Sequence, residues 1–236
     1  MKERKKIYPA FHDLKPREYM YFPKGTLDAG KPGKFSKTEI IHILIAMGIL
    51  TIAFSFAFSP IYNFDLNILL EYIPISFLGI LTAFFVHELS HKFMAQKYGL
   101  WSEFRMYPKG LLLSLFLAIF TGFVFAAPGA VMFRGDTRTF ETGRIAAAGP
   151  GANILIGGIS FFLYRFVFFE MDFIGRIFGF ISLVNILLAT FNLLPFGPLD
   201  GVKVIRWNGI VWSILFAISI ILLVLIFSRG LLLPGF

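Results

Sequence analysis

The chain has 236 residues, 57% of them hydrophobic, 18% aromatic and 15% charged, with a mean hydropathy of +0.75 and no cysteine. A soluble domain of this size needs a larger polar exterior than 22 Lys and Arg plus 14 Asp and Glu supply, so lipid must cover much of the surface. Without cysteine, a disulfide scaffold, a thiol nucleophile and any cysteine-ligated zinc or iron–sulfur centre are excluded, and the +8 charge reads as membrane orientation rather than nucleic-acid binding.

Residues 1–38 carry ten Lys or Arg, and no apolar run follows soon enough for a signal peptide. They are expected to form a basic cytosolic tail, solvated and partly unordered, ahead of a membrane domain spanning 39–236. From Ile40 to Asn63 the chain has no formal charge, long enough at 1.5 Å per residue to cross about 30 Å of hydrocarbon. Leu66 to about Lys97 predicts a second span with a bend at Pro74. Uncharged runs follow at Gly110–Phe133, Ile145–Tyr164, Ile177–Leu199 and Trp207–Ser228. The fold class is therefore an all-α polytopic membrane protein with five to six transmembrane helices.

Charge placement decides between five and six. Residues 121–131 combine β-favouring side chains with a Pro-Gly break, which makes a poor transmembrane helix. If Gly110–Phe133 enters and returns to the same side as a re-entrant hairpin, or as a short helix plus strand, 19 of the 22 Lys and Arg fall on one face; only Arg165, Arg176 and Arg229 lie opposite. That face is predicted to be cytosolic. The same threading brings His87, His91 and Asp200 to one half of the bilayer.

His87-Glu88-Leu89-Ser90-His91 places two imidazoles at i and i+4, on one helix face a turn apart. Neutral imidazoles suit Zn²⁺. Glu88, about 100° round the helix, can reach a metal-bound water as general base without being a ligand. This is the HExxH arrangement of zinc hydrolases; chance would produce it in under about 1% of chains of this composition. Buried ionisable groups in lipid are costly and functional by default. A catalytic zinc takes three protein ligands and leaves one position for water. Among acids in or beside the expected spans, Glu71 lies about 25 Å along the helix from Glu88, which leaves Asp200 as the third ligand. Its context, Asn192-Leu193-Leu194-Pro195-Phe196-Gly197-Pro198-Leu199-Asp200-Gly201, breaks regular helix and frees the carboxylate to turn toward a neighbour.

His87 to His91, with Asn192-Leu193-Leu194-Pro195 and Leu199-Asp200-Gly201 far downstream, resembles the site-2 protease family of intramembrane zinc metalloproteases. Gly149-Pro150-Gly151-Ala152-Asn153 resembles that family's Gly-Pro-x-x-Asn stretch, which opens a core helix. The likeness covers roughly residues 66–205. It implies one zinc bound by His87, His91 and Asp200, water activation by Glu88, and a substrate backbone held by Asn192. Asn153 either does the same or satisfies helix backbone groups. The implied partner is a membrane-anchored protein with a transmembrane helix, cut within the prokaryotic cell membrane to release a cytosolic regulator. The compact form, with no PDZ-like insertion or nucleotide-binding (CBS) domain expected, carries over no route of control.

A zinc transporter or sensor would want acids along a path across the bilayer, whereas the polar groups here concentrate at one depth. The intact Glu88 argues against a catalytically silent relative that only binds membrane helices. His42, alone in the first span, is expected to bond a neighbouring helix, and His12 has no partner spacing. Gly151, Gly157 and Gly158 are expected to let helices approach closely. Tail Lys and Arg are expected to touch anionic headgroups at about 1 kcal/mol each.

Overall fold

A computed structural model describes residues 33–59, 66–124, 128–135, 137–168 and 171–228. The predicted basic tail therefore lies almost wholly outside the described residues. The first helix, α1 (Lys37–Phe58), starts where the Ser36 side chain accepts the Glu39 N–H at 3.1 Å, and ends just before Ser59, the residue preceding Pro60. It begins earlier than the uncharged run, so Glu39 lies inside a span. The acids in or beside membrane helices therefore include Glu39 as well as Glu71, Glu88 and Asp200.

The second helix, α2 (Leu66–Lys97), carries the HExxH stretch. Pro74, where a bend is expected, lies within the helical winding. The change of winding comes later, in a π-turn over Leu81–Phe85 directly before His87. There the Val86 N–H donates to the Leu81 carbonyl, and the wider turn resets which face the following side chains occupy.

The expected loop 97–109 contains a strand, β1 (Trp101–Met106), and the expected re-entrant segment resolves into α3 (Pro108–Thr121) and β2 (Gly129–Arg134). The strands pair antiparallel, from Trp101 opposite Arg134 to Met106 opposite Gly129. The Tyr107 N–H closes the base of the excursion on the Pro128 carbonyl at 2.8 Å. The chain thus returns to the point from which it left. At about 21 Å, α3 is also too short to cross.

Next come α4 (Thr139–Phe166), α5 (Asp172–Asn192), the short α6 (Asp200–Trp207) and α7 (Gly209–Ser228). Gly149-Pro150-Gly151-Ala152-Asn153 lies inside α4, not at its opening as the family resemblance implied. The helix starts upstream because Glu141 turns back to accept the Arg138 N–H at 3.1 Å. Among the described residues, α1, α2, α4, α5 and α7 are long and apolar enough to cross a membrane. Ile43, Met47 and Leu50 of α1 pack on Ile80, Phe84, Phe104 and Leu111, which seats the sheet and α3 against α1 and α2. Tyr72, Ile75 and Ala83 pack on Phe180 and Val184 of α5. Only 11% of the apolar window of α7 is buried, so this uniformly hydrophobic helix presents most of its surface to lipid.

Candidate metal centre

Three helices build the centre. His87 and His91 come from one face of α2, α4 passes alongside, and α6 supplies Asp200 from its first turn. Two glycines permit the close approach. A Cβ on Gly149 would lie 2.7 Å from His87 Nε2 and would also strike His91 Nε2, so only glycine lets the α4 backbone run beside the imidazoles. A Cβ on Gly201 would strike the Leu193 carbonyl, so Gly201 lets α6 fold back on the end of α5 and turn Asp200 inward. Of the glycines expected to serve helix packing, Gly157 sits against Ile186, whereas Gly151 faces open space and Gly158 makes only ordinary contact with Leu222.

The donor set follows from a chain of hydrogen bonds. The Asn153 amide nitrogen donates to the Ala83 carbonyl at 2.9 Å and to Asn185 Oδ1 at 3.2 Å. That leaves Asn153 Oδ1 to accept from His87 Nδ1 at 2.7 Å, because a carbonyl can only accept and so fixes the amide's orientation. His91 Nδ1 donates to the Ile145 carbonyl at 2.7 Å. Both rings therefore carry the proton on Nδ1 and turn an unprotonated Nε2 toward each other, 3.0 Å apart. Asp200 Oδ2 stands 3.0 Å from His91 Nε2 and 3.6 Å from His87 Nε2.

Three acceptors thus converge in a buried place with no donor among them, which is the arrangement a cation satisfies. The spacings fit a small one: a tetrahedral zinc with bonds near 2.05 Å sets its ligand atoms about 3.3 Å apart. Lys203 Nζ donates to the outer oxygen, Oδ1, at 3.0 Å, which leaves Oδ2 for the metal.

Glu88 is half-buried, and its Oε2 accepts the Val131 N–H of β2 at 2.8 Å. Asn192, the last residue of α5, is half-buried and donates to the Leu188 carbonyl of its own helix at 3.0 Å. Asn153 is fully buried, its bonds committed to His87, Ala83 and Asn185. Ala83 belongs to the π-turn, so the Asn153 amide ties α4 to that turn. Among the described residues, His42 Nδ1 is buried without a hydrogen-bond partner. Sequence reasoning missed Asn185, Lys203 and the Val131 amide, and singled out Gly149 without its place beside the imidazoles. A lone amide in an uncharged span is the signal that could have found Asn185.

Comparison with known proteins supports the metal reading. The chain is 40% identical over 185 residues to "Putative zinc metalloprotease MJ0611" of Methanocaldococcus jannaschii, covering 77% of this chain and 90% of that protein. This chain belongs to the zinc metalloproteases. It is also 28% identical over 160 residues to "Putative zinc metalloprotease YwhC" of Bacillus subtilis, covering 58% of this chain and 70% of that protein. With "Zinc metalloprotease MJ0392" of M. jannaschii it shares 31% identity over 122 residues, 51% of this chain and 30% of the relative. No family model and no solved structure matches. Zinc is the ion this membership implies for His87, His91 and Asp200, the one group of metal-binding geometry among the described residues.

Proposed function

We propose that the chain is an intramembrane zinc endopeptidase of the site-2 protease type, which cuts peptide bonds within transmembrane segments of membrane-anchored proteins. One observation carries the reading: the HExxH residues lie within an apolar helix of 32 residues, α4, itself of spanning length, packs on that stretch, and α5 packs on the part of the same helix just before it. Held by His87, His91 and Asp200, zinc would polarise the scissile carbonyl and lower the pKa of a water toward about 7. Glu88 takes the proton of the attacking water and delivers it to the departing amine. Asn153 and the Ile145 carbonyl keep both imidazoles in the Nδ1-protonated form.

A helical substrate hides its amides, so it must unwind before it is cut. The outer edge of β2 suits an unwound strand. The Phe104 N–H turns away from β2 to Glu39, and the N–H of its opposite residue, Val131, turns away from β1 to Glu88. By the alternation of an antiparallel ladder, Gly129, Val131 and Phe133 then present their peptide groups outward; with the Val131 N–H held by Glu88, a substrate strand could add by β-pairing to the groups of Gly129 and Phe133 and the Val131 carbonyl. Asn192 would help hold that strand. The chain is oriented with its N-terminus and basic loops cytosolic, in a prokaryotic cell membrane.

The purified chain in lipid vesicles should cleave a peptide whose scissile bond lies within a transmembrane segment and leave the same bond in a soluble peptide intact. Equal cleavage of both would overturn the intramembrane reading. Single cysteines, introduced into a chain that has none, test the orientation. Those at Lys109 and Arg134 should react with an impermeant reagent only from the cytosolic side, and one at Met171 only from the other; labelling of all three from one side would reject it.

A further inference from the structure

One residue beyond His91, a second buried polar cluster sits on the same helix. Lys92 Nζ donates to both carboxylate oxygens of Glu39, at 2.9 and 2.7 Å, and to the Ser102 carbonyl at 3.0 Å, so all three of its protons are used. The Phe35 ring lies 4.5 Å from the ammonium. Glu39 Oε1 also accepts the Phe104 N–H at 2.9 Å, and Ser102 Oγ donates back to the Lys92 carbonyl at 3.3 Å. Lys92 and Glu39 are 1% and 0% exposed, in a setting where an ion pair is costly to bury.

What this pair grips is informative. Phe104 and Val131 face each other at the centre of the two-stranded sheet. Each points its N–H outward, and each N–H is taken by a glutamate: Phe104 by Glu39, Val131 by Glu88. Glu88 and Lys92 are four residues apart, on one face of α2. One turn of the helix therefore holds both edges of the sheet, β2 directly through Glu88 and β1 through Lys92 and Glu39. A two-stranded ribbon is marginally stable alone, so its place depends on such anchors.

We propose that the Lys92–Glu39 pair is a positioning element for Glu88, acting through β1 and β2 to fix the Val131 amide that orients the Glu88 carboxylate. This rests on Glu88 being the general base of the proposed protease. A simple staple between α1 and α2 would need only the two side chains to pack; the positioning role also needs an acceptor at residue 39 for the Phe104 N–H.

Two double variants separate these roles. Glu39→Gln/Lys92→Met keeps the acceptor and Glu39→Leu/Lys92→Met removes it, while both eliminate the buried charges. The Leu/Met form should show kcat about 10- to 100-fold below the Gln/Met form, with bound zinc equal. Amide hydrogen exchange should be faster in residues 101–106 and 129–134, with α4 unchanged. Equal kcat and equal exchange would overturn the proposal. If the Leu/Met form does not fold, Glu39→Asp serves: its shorter side chain cannot span both Lys92 and Phe104, so kcat should fall with bound zinc unchanged, and wild-type kcat would again overturn it. If the wild-type chain cleaves nothing, the protease reading fails, and the exchange comparison still decides whether the pair holds the sheet.

Discussion

His91 and Lys92 are neighbours in sequence and head two buried polar clusters that differ in one respect. Around Lys92 every donor has an acceptor: three ammonium protons meet Glu39 and the Ser102 carbonyl. Around His91 three acceptors, two imidazole nitrogens and the Asp200 carboxylate, converge without a donor. A closed cluster keeps its shape and has nothing left to bind. The open cluster is complete only with a cation, and its partners, Asn153, the Ile145 carbonyl and Lys203, orient the ligands without filling the space between them.

Substitutions that fill or misalign the open cluster should therefore strike metal binding before stability. The largest effect short of deleting a ligand is expected for Gly149→Ala, whose methyl would sit against both Nε2 atoms. Zinc affinity measured by chelator competition should fall by at least about 100-fold while the helices persist by circular dichroism; unchanged affinity would mean that α4 does not run where described. A smaller loss, about 10-fold, is expected for Asn153→Leu, which keeps all three ligands and removes the hydrogen bonds that hold the His87 tautomer and the π-turn before it. An Asn153→Leu variant with affinity lower than that of Gly149→Ala would reverse the order the geometry gives.

The two clusters were also unequally legible in the sequence. The open one could be read because its chemistry is local. Two histidines at helical spacing with a glutamate between them declare themselves, and Asp200 stands out where apolar runs leave few acids. The closed one could not. Its Glu39 lies one residue before the uncharged run, so hydropathy set it outside the span, and Ser102 and Phe104 belong to a strand that exists only by pairing with residues after α3. The re-entrant excursion was legible from charge parity and the Pro-Gly break, but β1 was not, since its alternating pattern is short and its partner is distant in sequence. The π-turn escaped as well. Nothing in Leu81-Thr82-Ala83-Phe84-Phe85 signals a wider winding; it is sustained from outside, by Asn153 on the Ala83 carbonyl and Asn185 on Thr82.

The central claim is that His87, His91 and Asp200 hold a zinc on which Glu88 acts as base. It is tested most directly by measuring bound zinc and transmembrane-peptide cleavage together in the wild type, Glu88→Gln and His87→Ala. The expected result is full zinc with cleavage reduced by about 10³-fold or more in Glu88→Gln, and loss of both in His87→Ala. Cleavage at the wild-type rate by zinc-loaded Glu88→Gln would contradict it.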